Sequence, residues 1–245
     1  MANLRVERDG PVLRVTLTRP DRRNAFDAEL VAEPSEAFVD VGRARAVVLA
    51  GEGASFCAGA DVDWMRASVG LSQDENVADA NAMRRMFEAI DGCPAPVVAR
   101  VQGHALGGGA GLVSVADIPI CAPDTVFAFS EVKLGIIPAV ISPFVLPRIG
   151  PHARRYFLTG ERFDADTALR IGLVEEVATD LDAAVDRVLT ELLSAGPEAL
   201  REAKRLIRER PTSDETAQIA ARLRAGDEGQ EGLRAFLNRR EPGWR

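Results

Sequence analysis

The sequence predicts an α/β core followed by a helical C-terminal region. In the first two thirds of the chain, short apolar segments with strand character alternate with amphipathic helical segments, which is typical of α/β folds. From about Leu181 only helical patterns occur, and turn residues separate them at Gly196-Pro197, Pro211 and Gly226. We therefore expect a core over residues 1–180 that holds the functional site, and a helical region over residues 181–245.

The chain begins with a predicted β-hairpin. Residues 4–8 and 12–18 alternate apolar and polar side chains, and Asp9-Gly10 between them is a typical turn sequence. Residues 27–41 have the pattern of an amphipathic helix that contains Pro34. Because an interior proline removes a main-chain donor and clashes with the preceding turn, we expect this helix to start near Pro34 or to break there.

Buried strands are predicted over residues 46–50 and 95–101, with a helix over residues 74–90 between them. Apolar side chains recur in this helix at intervals of three and four positions, at Val77, Ala80, Met83, Met86, Phe87 and Ile90. Short strands are predicted over residues 118–121 and 126–129. This alternation of strands and helices is the pattern of an α/β core.

The composition indicates a globular protein of the cytoplasm. The 245 residues are 47% hydrophobic, which is enough for a sizeable core, and the net charge of −7 disfavours a nucleic-acid or anionic-membrane partner. The three cysteines have no CxxC spacing, so we expect free thiols in a reducing compartment. The N-terminus lacks a signal-peptide core, and no apolar run approaches the roughly 18 residues of a membrane span.

Three stretches carry the candidate chemistry, namely residues 55–62, 103–111 and 129–138. The first two are small-residue turns that each follow a predicted strand. Small residues let a ligand approach main-chain N–H groups, and those groups lack partners at the start of a helix. Two such turns side by side predict a main-chain oxyanion hole for a carbonyl whose oxygen gains charge. A packing or turn role for the glycines is the alternative that the sequence leaves open.

Glu131 is the candidate acid–base residue. It follows a predicted strand in a mostly apolar neighbourhood, and burial there would raise its pKa toward the range useful for proton transfer. An ordinary surface position is the alternative. The two histidines, His104 and His152, are too few and too distant along the chain to indicate a metal site, so no metal is predicted.

Together, these stretches resemble the crotonase superfamily, the enoyl-CoA hydratases and isomerases. The resemblance runs over nearly the whole chain, and its motifs occur in order at Arg19-Pro20, Arg23 to Phe26, Phe56 to Asp61, Gly103 to Gly109, Ala116 to Ile118, Glu131 to Pro138 and Glu231 to Leu237. The resemblance implies a fold of repeated ββα units. It also implies a C-terminal helical oligomerisation region that builds a homotrimer or a dimer of trimers.

The resemblance further implies a set of site residues. The main-chain N–H groups of Ala60 and Gly108 would form the oxyanion hole, and Glu131 would be the acid–base. The implied substrate-binding positions are Arg23, Ala25, Ala58, Asp61, Val62, Gly107 and Pro138. The implied substrate is an acyl-CoA thioester, and because coenzyme A is part of that substrate, no separate cofactor is expected.

One position departs from the family pattern. Typical hydratases of the family carry two glutamates, and the first would fall at position 111, where this chain has Gly111. Glu131 would then act alone, and we expect Gly111 to leave volume for a bulkier or branched acyl group. Residues 137–145 are similar to those of hydratases that act on methylglutaconyl-CoA or isohexenylglutaconyl-CoA.

The expected function is therefore that of an enoyl-CoA hydratase, which adds water to a 2-enoyl-CoA through an oxyanion-stabilised enolate. Two alternatives remain open. A Δ3–Δ2 enoyl-CoA isomerase needs only one carboxylate to move a proton between carbons, and a non-catalytic CoA-binding oligomer needs none.

Overall fold

The computed structural model describes residues 3–245, apart from the side chains of residues 32–36. The strands are β1 (Leu4–Asp9), β2 (Val12–Leu17), β3 (Ala46–Gly51), β4 (Val97–Val101), β5 (His104–Leu106), β6 (Ile118–Cys121), β7 (Val126–Ala128), β8 (Arg162–Asp164) and β9 (Glu176–Val177). The main sheet has the order β1-β2-β3-β4-β6-β9, and a smaller sheet has the order β5-β7-β8.

Eleven α-helices lie in the described part of the chain. They are α1 (Ala28–Val39), α2 (Val62–Ala67), α3 (Gln73–Asp91), α4 (Gly108–Val115), α5 (Ser142–Ile149), α6 (Ala153–Thr159), α7 (Ala165–Arg170), α8 (Leu181–Ser194), α9 (Pro197–Glu209), α10 (Ser213–Ala225) and α11 (Asp227–Leu237). None of these helices is both long enough and apolar enough to cross a membrane.

The ββα organisation of the core is clear in the middle of the chain. β4 of the main sheet leads into β5 of the smaller sheet and then into α4, and β6 leads in the same way into β7 and toward α5. The loop after β3 follows the same course, because Cys57 forms a bridge with Ala105 of β5. The predicted hairpin is also confirmed, since β1 and β2 are antiparallel with Asp9 opposite Val12.

Helix α1 runs through Pro34 without interruption. The expectation that this helix starts or breaks at the proline is therefore wrong. Leu30, Val31 and Phe38 of α1 are buried in the core. Burying a large apolar side chain contributes about 1.5–3 kcal/mol, so three of them outweigh the cost of about 3 kcal/mol for an interior proline.

The two faces of the main sheet are covered differently. One face packs against α1, α3 and α4 in the larger apolar cluster of the core. The other face presents Val12, Val48 and Val98, and α8 covers these side chains with Leu181 and Val185. Helix α8 therefore completes the core of the sheet, and α9 to α11 follow it at the predicted breaks.

Polar contacts attach the C-terminal helices to the core. The buried Lys204 of α9 donates to Asp117 Oδ2 at 2.7 Å and to the Ala95 carbonyl oxygen at 3.3 Å. Arg45 donates to three main-chain carbonyl oxygens at 2.6–2.7 Å, those of Leu193, Ala195 and Trp244. The indole Nε1 of Trp244 donates to the Ser194 carbonyl oxygen at 3.2 Å. These contacts fix both ends of the helical region.

Candidate active site

A cavity of about 390 Å³ lies beside the ends of β5 and β7. Its walls are mostly apolar, with side chains from α2, α3 and residues 134–141. Among the described residues that line it, Asp79 and Glu131 are the only carboxylates, and there is no arginine, lysine or histidine. The cavity therefore suits an uncharged, largely apolar group.

The first turn at this cavity contains Ala60. Phe26 forms a bridge with Ala60, in which the Phe26 N–H donates to the Gly59 carbonyl and the Asp61 N–H donates to the Phe26 carbonyl, both at 2.7 Å. The N–H of Ala60 itself has no protein acceptor within residues 3–245. Because Ala60 lines the cavity, this N–H is available to a ligand there.

The second turn leads into α4. Gly107 precedes the helix with φ 51°, a left-handed conformation that favours glycine, and Gly108 is the first helical residue. In the described chain the Gly108 N–H, like other first-turn donors, has no acceptor. Gly108 also lines the cavity, so two residues with unpaired main-chain N–H groups lie at the same cavity.

Glycines allow the two turns to pack closely. A Cβ on Gly59 would lie 2.7 Å from the Leu106 carbonyl oxygen, and a Cβ on Gly108 would lie 2.6 Å from Cε2 of Phe26. A Cβ on Gly109 would lie 3.0 Å from the Cys57 carbonyl carbon and closer still to its oxygen. The glycine triplet is therefore required for packing, and this packing places the two donors at one cavity.

Glu131 lies next to the second turn. β7 is parallel to β5, and the Gly107 N–H donates to the Ala128 carbonyl at 2.8 Å, so the residues after both strands emerge at the same edge. The 3-10 helix Glu131–Leu134 begins there. Glu131 Oε1 lies 3.2 Å from the position that a Cβ on Gly107 would occupy. The carboxylate therefore stands directly over the turn that contains Gly107.

The Glu131 carboxyl is buried and incompletely hydrogen-bonded. Burial raises its pKa, and a hydrogen bond from its own main-chain N–H opposes this only in part. Its Oε2 is buried without a hydrogen-bond partner among the described residues. An unsatisfied buried carboxylate oxygen is costly to the fold and is typical of functional sites.

Charged and polar side chains hold the Ala60 turn from behind. Arg19 contacts Asp61 and Asp27, each at 2.9 Å, and Asp61 also accepts from the Asp63 N–H at 2.8 Å. Burial alone would raise the pKa of Asp61, but this hydrogen bond and the Arg19 charge leave it below its ordinary value. Asn24 is fully buried and donates to the carbonyls of residues 52 and 55.

The predicted site residues fall into two groups. Ala58, Ala60, Gly107, Gly108, Glu131 and Pro138 line the cavity. Arg23, Ala25, Asp61 and Val62 lie outside its lining, on the adjacent turn and the start of α2. Within this second group Arg23 and Val62 are exposed, while Ala25 and Asp61 are buried. Sequence reasoning gave no role to Arg19, although the Arg19-Pro20 motif was the available signal.

Gly111 does not open the cavity, contrary to the expectation from sequence. A Cβ at this position would clash with Cγ2 of Ile141 and would lie 3.1 Å from Cε1 of Phe87. The volume beside Gly111 is therefore filled by Ile141, which is 2% exposed. The long sequence separation of these two residues explains why no local pattern indicated their contact.

The chain is similar to known proteins along nearly its whole length. The enoyl-CoA hydratase ACTT6 of Alternaria alternata is 33% identical over 241 residues, which covers 91% of this chain and 78% of the relative. The carnitinyl-CoA dehydratase of Citrobacter koseri is 32% identical over 263 residues, with coverage of 99% and 98%. The crystal structure of an enoyl-CoA hydratase from Shewanella pealeana superposes with a TM-score of 0.94 at 39% identity and covers 99% of this chain and 96% of that one.

The family model for enoyl-CoA hydratase/isomerase matches residues 7–245. This match spans the core and the C-terminal helices, and the ββα fold agrees with the crotonase-like architecture that the sequence predicted. The chain therefore belongs to the enoyl-CoA hydratase/isomerase family of the crotonase superfamily.

Proposed function

We propose that this protein hydrates a 2-enoyl-CoA thioester, with Glu131 as its single acid–base residue. The observation that carries the proposal is the position of the Glu131 carboxylate, which lies over Gly107 beside two unpaired main-chain donors at one cavity. The relatives named as hydratases and as a dehydratase support water addition or removal as the reaction class.

The proposed reaction uses the donors and the carboxylate in turn. The N–H groups of Ala60 and Gly108 bind the thioester carbonyl oxygen and make the β-carbon electrophilic. Glu131 accepts a proton from water as the water oxygen bonds to the β-carbon, which leaves an enolate. The α-carbon then takes the proton back from Glu131, so that water is added across the double bond. The thioester is itself the electron sink, and we propose no further cofactor.

The cavity favours an uncharged acyl group, branched or straight. A glutaconyl-type ester carries a second carboxylate, which is costly to bury without a cation. The lining within the described residues offers the carboxylates of Asp79 and Glu131 and no cationic side chain. We therefore propose that uncharged 2-enoyl-CoA esters are preferred to the methylglutaconyl or isohexenylglutaconyl esters that the sequence resemblance implied.

The test follows the absorbance of the conjugated thioester with crotonyl-CoA and 3-methylglutaconyl-CoA. Glu131→Gln should lower kcat by about 100-fold or more, which is the usual scale for a general acid–base. Asp79→Asn, which changes the other carboxylate of the cavity, should stay within about threefold of wild type, well below that scale. Equal losses in the two variants would contradict a single-carboxylate mechanism, and faster turnover of the methylglutaconyl ester would contradict an uncharged acyl site.

One observation favours a second candidate, the Δ3–Δ2 enoyl-CoA isomerase. The wall beside Glu131 is apolar, because Ile141 fills the space next to Gly111 and leaves no second carboxylate there to hold a water molecule. A 3-enoyl-CoA ester separates the two reactions. An isomerase raises the absorbance as the double bond moves into conjugation, whereas a hydratase consumes crotonyl-CoA and releases a 3-hydroxyacyl-CoA.

We also propose a cytoplasmic homotrimer or dimer of trimers without nucleic-acid or membrane partners. Large apolar side chains on the outer face of the described chain support self-association, namely Leu158, Ile207, Phe236 and Leu237. Light scattering on the purified protein should give a mass of about three or six times 26.3 kDa. A monomer at micromolar concentration would contradict this assembly.

A further inference from the structure

We propose that Ile141 ends the acyl part of the cavity and that its contact with Gly111 sets the longest acyl chain the protein binds. This inference rests on the proposed acyl-CoA function and adds a residue that determines specificity. We refer to the two residues as the 141–111 pair.

The first observation is the fit between the two residues. Gly111 lies one turn into α4, where its N–H donates to the Gly107 carbonyl at 3.1 Å. A Cβ on Gly111 would clash with Ile141 Cγ2 and would lie 3.1 Å from Ile141 Cβ. Ile141 therefore occupies the space that any side chain at position 111 would need.

The second observation is which member of the pair faces the cavity. Ile141 lines the cavity together with Gly108 and Glu131, whereas Gly111 and Phe87 do not. Ile141 therefore lies between the cavity and the part of α4 that contains Gly111. An acyl chain that passes Gly108 and Glu131 on this side meets the Ile141 side chain before it can reach Gly111.

The third observation is that Ile141 lies in a closely packed region. Both Ile141 and Phe87 are buried, and Cε1 of Phe87 lies 3.1 Å from the Cβ position on Gly111. The Phe87 ring packs edge-on against Phe26 and at a tilt against Phe144, with ring centroids 6.4 Å and 6.0 Å apart. Close-packed interiors resist such shifts, so the end of the cavity is a fixed limit on length.

One side of the cavity is open to solvent. Leu134, Ile136 and Ile137 also line it, but their side chains are 58–69% exposed. A chain directed to that side would project past these residues without a length limit. The two directions therefore predict different dependences of affinity on chain length.

The experiment measures Kd by calorimetry for butanoyl-, hexanoyl-, octanoyl- and decanoyl-CoA, saturated thioesters that bind without reacting. For the wild type, affinity should rise with acyl chain length up to one length and not rise beyond it. In Ile141→Ala it should continue to rise to longer chains, by about fourfold in Kd for each further buried methylene group. Ile141→Val removes less of the side chain and should shift the limit less. It provides a second test in case the alanine variant does not fold.

Two further variants complete the test. Ile137→Ala, on the open side, should leave the length limit where it is in the wild type. Gly111→Ala placed in the Ile141→Ala background should bring the limit back toward shorter chains, because the new methyl group takes up the opened space.

The inference is overturned if Ile141→Ala and the wild type have the same length profile, or if Ile137→Ala shifts the limit instead. It fails separately from the proposed function, since binding of saturated esters requires no turnover. If Ile141→Ala shifts the chain-length limit but the wild type does not hydrate crotonyl-CoA, the hydratase proposal is rejected and the role of the 141–111 pair stands. If the wild type hydrates crotonyl-CoA but the limit does not shift, the hydratase proposal stands and the role of the pair is rejected.

Discussion

The close packing between the two turns of the site can be tested at Gly109. A Cβ there would lie 3.0 Å from the Cys57 carbonyl carbon and closer to its oxygen, whereas ordinary contacts begin at 3.4 Å. Gly109→Ala must therefore move the turn that contains Ala60 away from α4 until the Cys57 carbonyl returns to an ordinary contact distance. Donors of an oxyanion hole act over a window of about 2.7–3.1 Å, so this movement takes one donor out of range.

Loss of one donor costs about 2.7–4 kcal/mol of transition-state stabilisation, so kcat of Gly109→Ala should fall by about 100- to 1000-fold. KM for crotonyl-CoA should change little, because the lost interaction develops mainly in the transition state. Overpacking also costs roughly 1–3 kcal/mol of stability, so urea unfolding must show that the variant is folded in the assay.

The matched control for this prediction is Gly226→Ala. Gly226 precedes α11 with φ −71°, and the nearest atom to its Cβ position is 3.5 Å away, so an alanine fits there. This variant should keep the wild-type kcat. A folded Gly109→Ala protein with a kcat near that of the control would refute the argument that glycine packing holds the two donors in place.

Three further predictions concern charge. Burial raises the pKa of Glu131, so the native state loses stability as pH rises through that pKa. Glu131→Gln should therefore have a higher Tm than wild type at about pH 8 and the same Tm below about pH 4. Equal Tm values at the higher pH would refute this prediction. For the same reason kcat/KM should fall with decreasing pH on an acid limb above the ordinary glutamate pKa of 4.5, and a rate that is flat down to that value would contradict Glu131 as the base. Lys204→Met leaves Asp117 without its cation and should cost about 3 kcal/mol in urea unfolding, whereas Arg205→Met, in an exposed pair on the same helix, should cost clearly less. Equal losses of stability in these two variants would show that the contribution of the Lys204–Asp117 ion pair does not depend on the burial of Lys204.

Long periodic segments and motifs at strand ends were predictable from sequence. The hairpin, the central strands, α3 and the breaks between the C-terminal helices all lie where their patterns indicated. β5, β8 and β9, which have two or three residues each, were missed, whereas the equally short β7 was predicted from an apolar run that extends to Phe129. At Pro34 the local preference was overridden by burial of the surrounding helix face.

The candidate site was predictable in part. The small-residue turns and Glu131 were inferred from the residues themselves, and the family resemblance then implied Ala60 and Gly108 as the donors. All three residues line one cavity, while their catalytic roles stay predictions. Ile141 could not be inferred in the same way. Its effect depends on contact with Gly111, thirty positions earlier, and such pairings are decided by tertiary packing rather than by local sequence.

The two tryptophans of the chain lie in different environments and so provide two optical reporters. Trp64 lines the cavity, so its emission should respond to an acyl ligand. Trp244 is hydrogen-bonded to the Ser194 carbonyl, and its own carbonyl accepts from Arg45, so its emission should follow docking of the C-terminal helices. In Trp244→Phe the remaining fluorescence would come from the cavity alone, and occupancy could be followed in real time without a label.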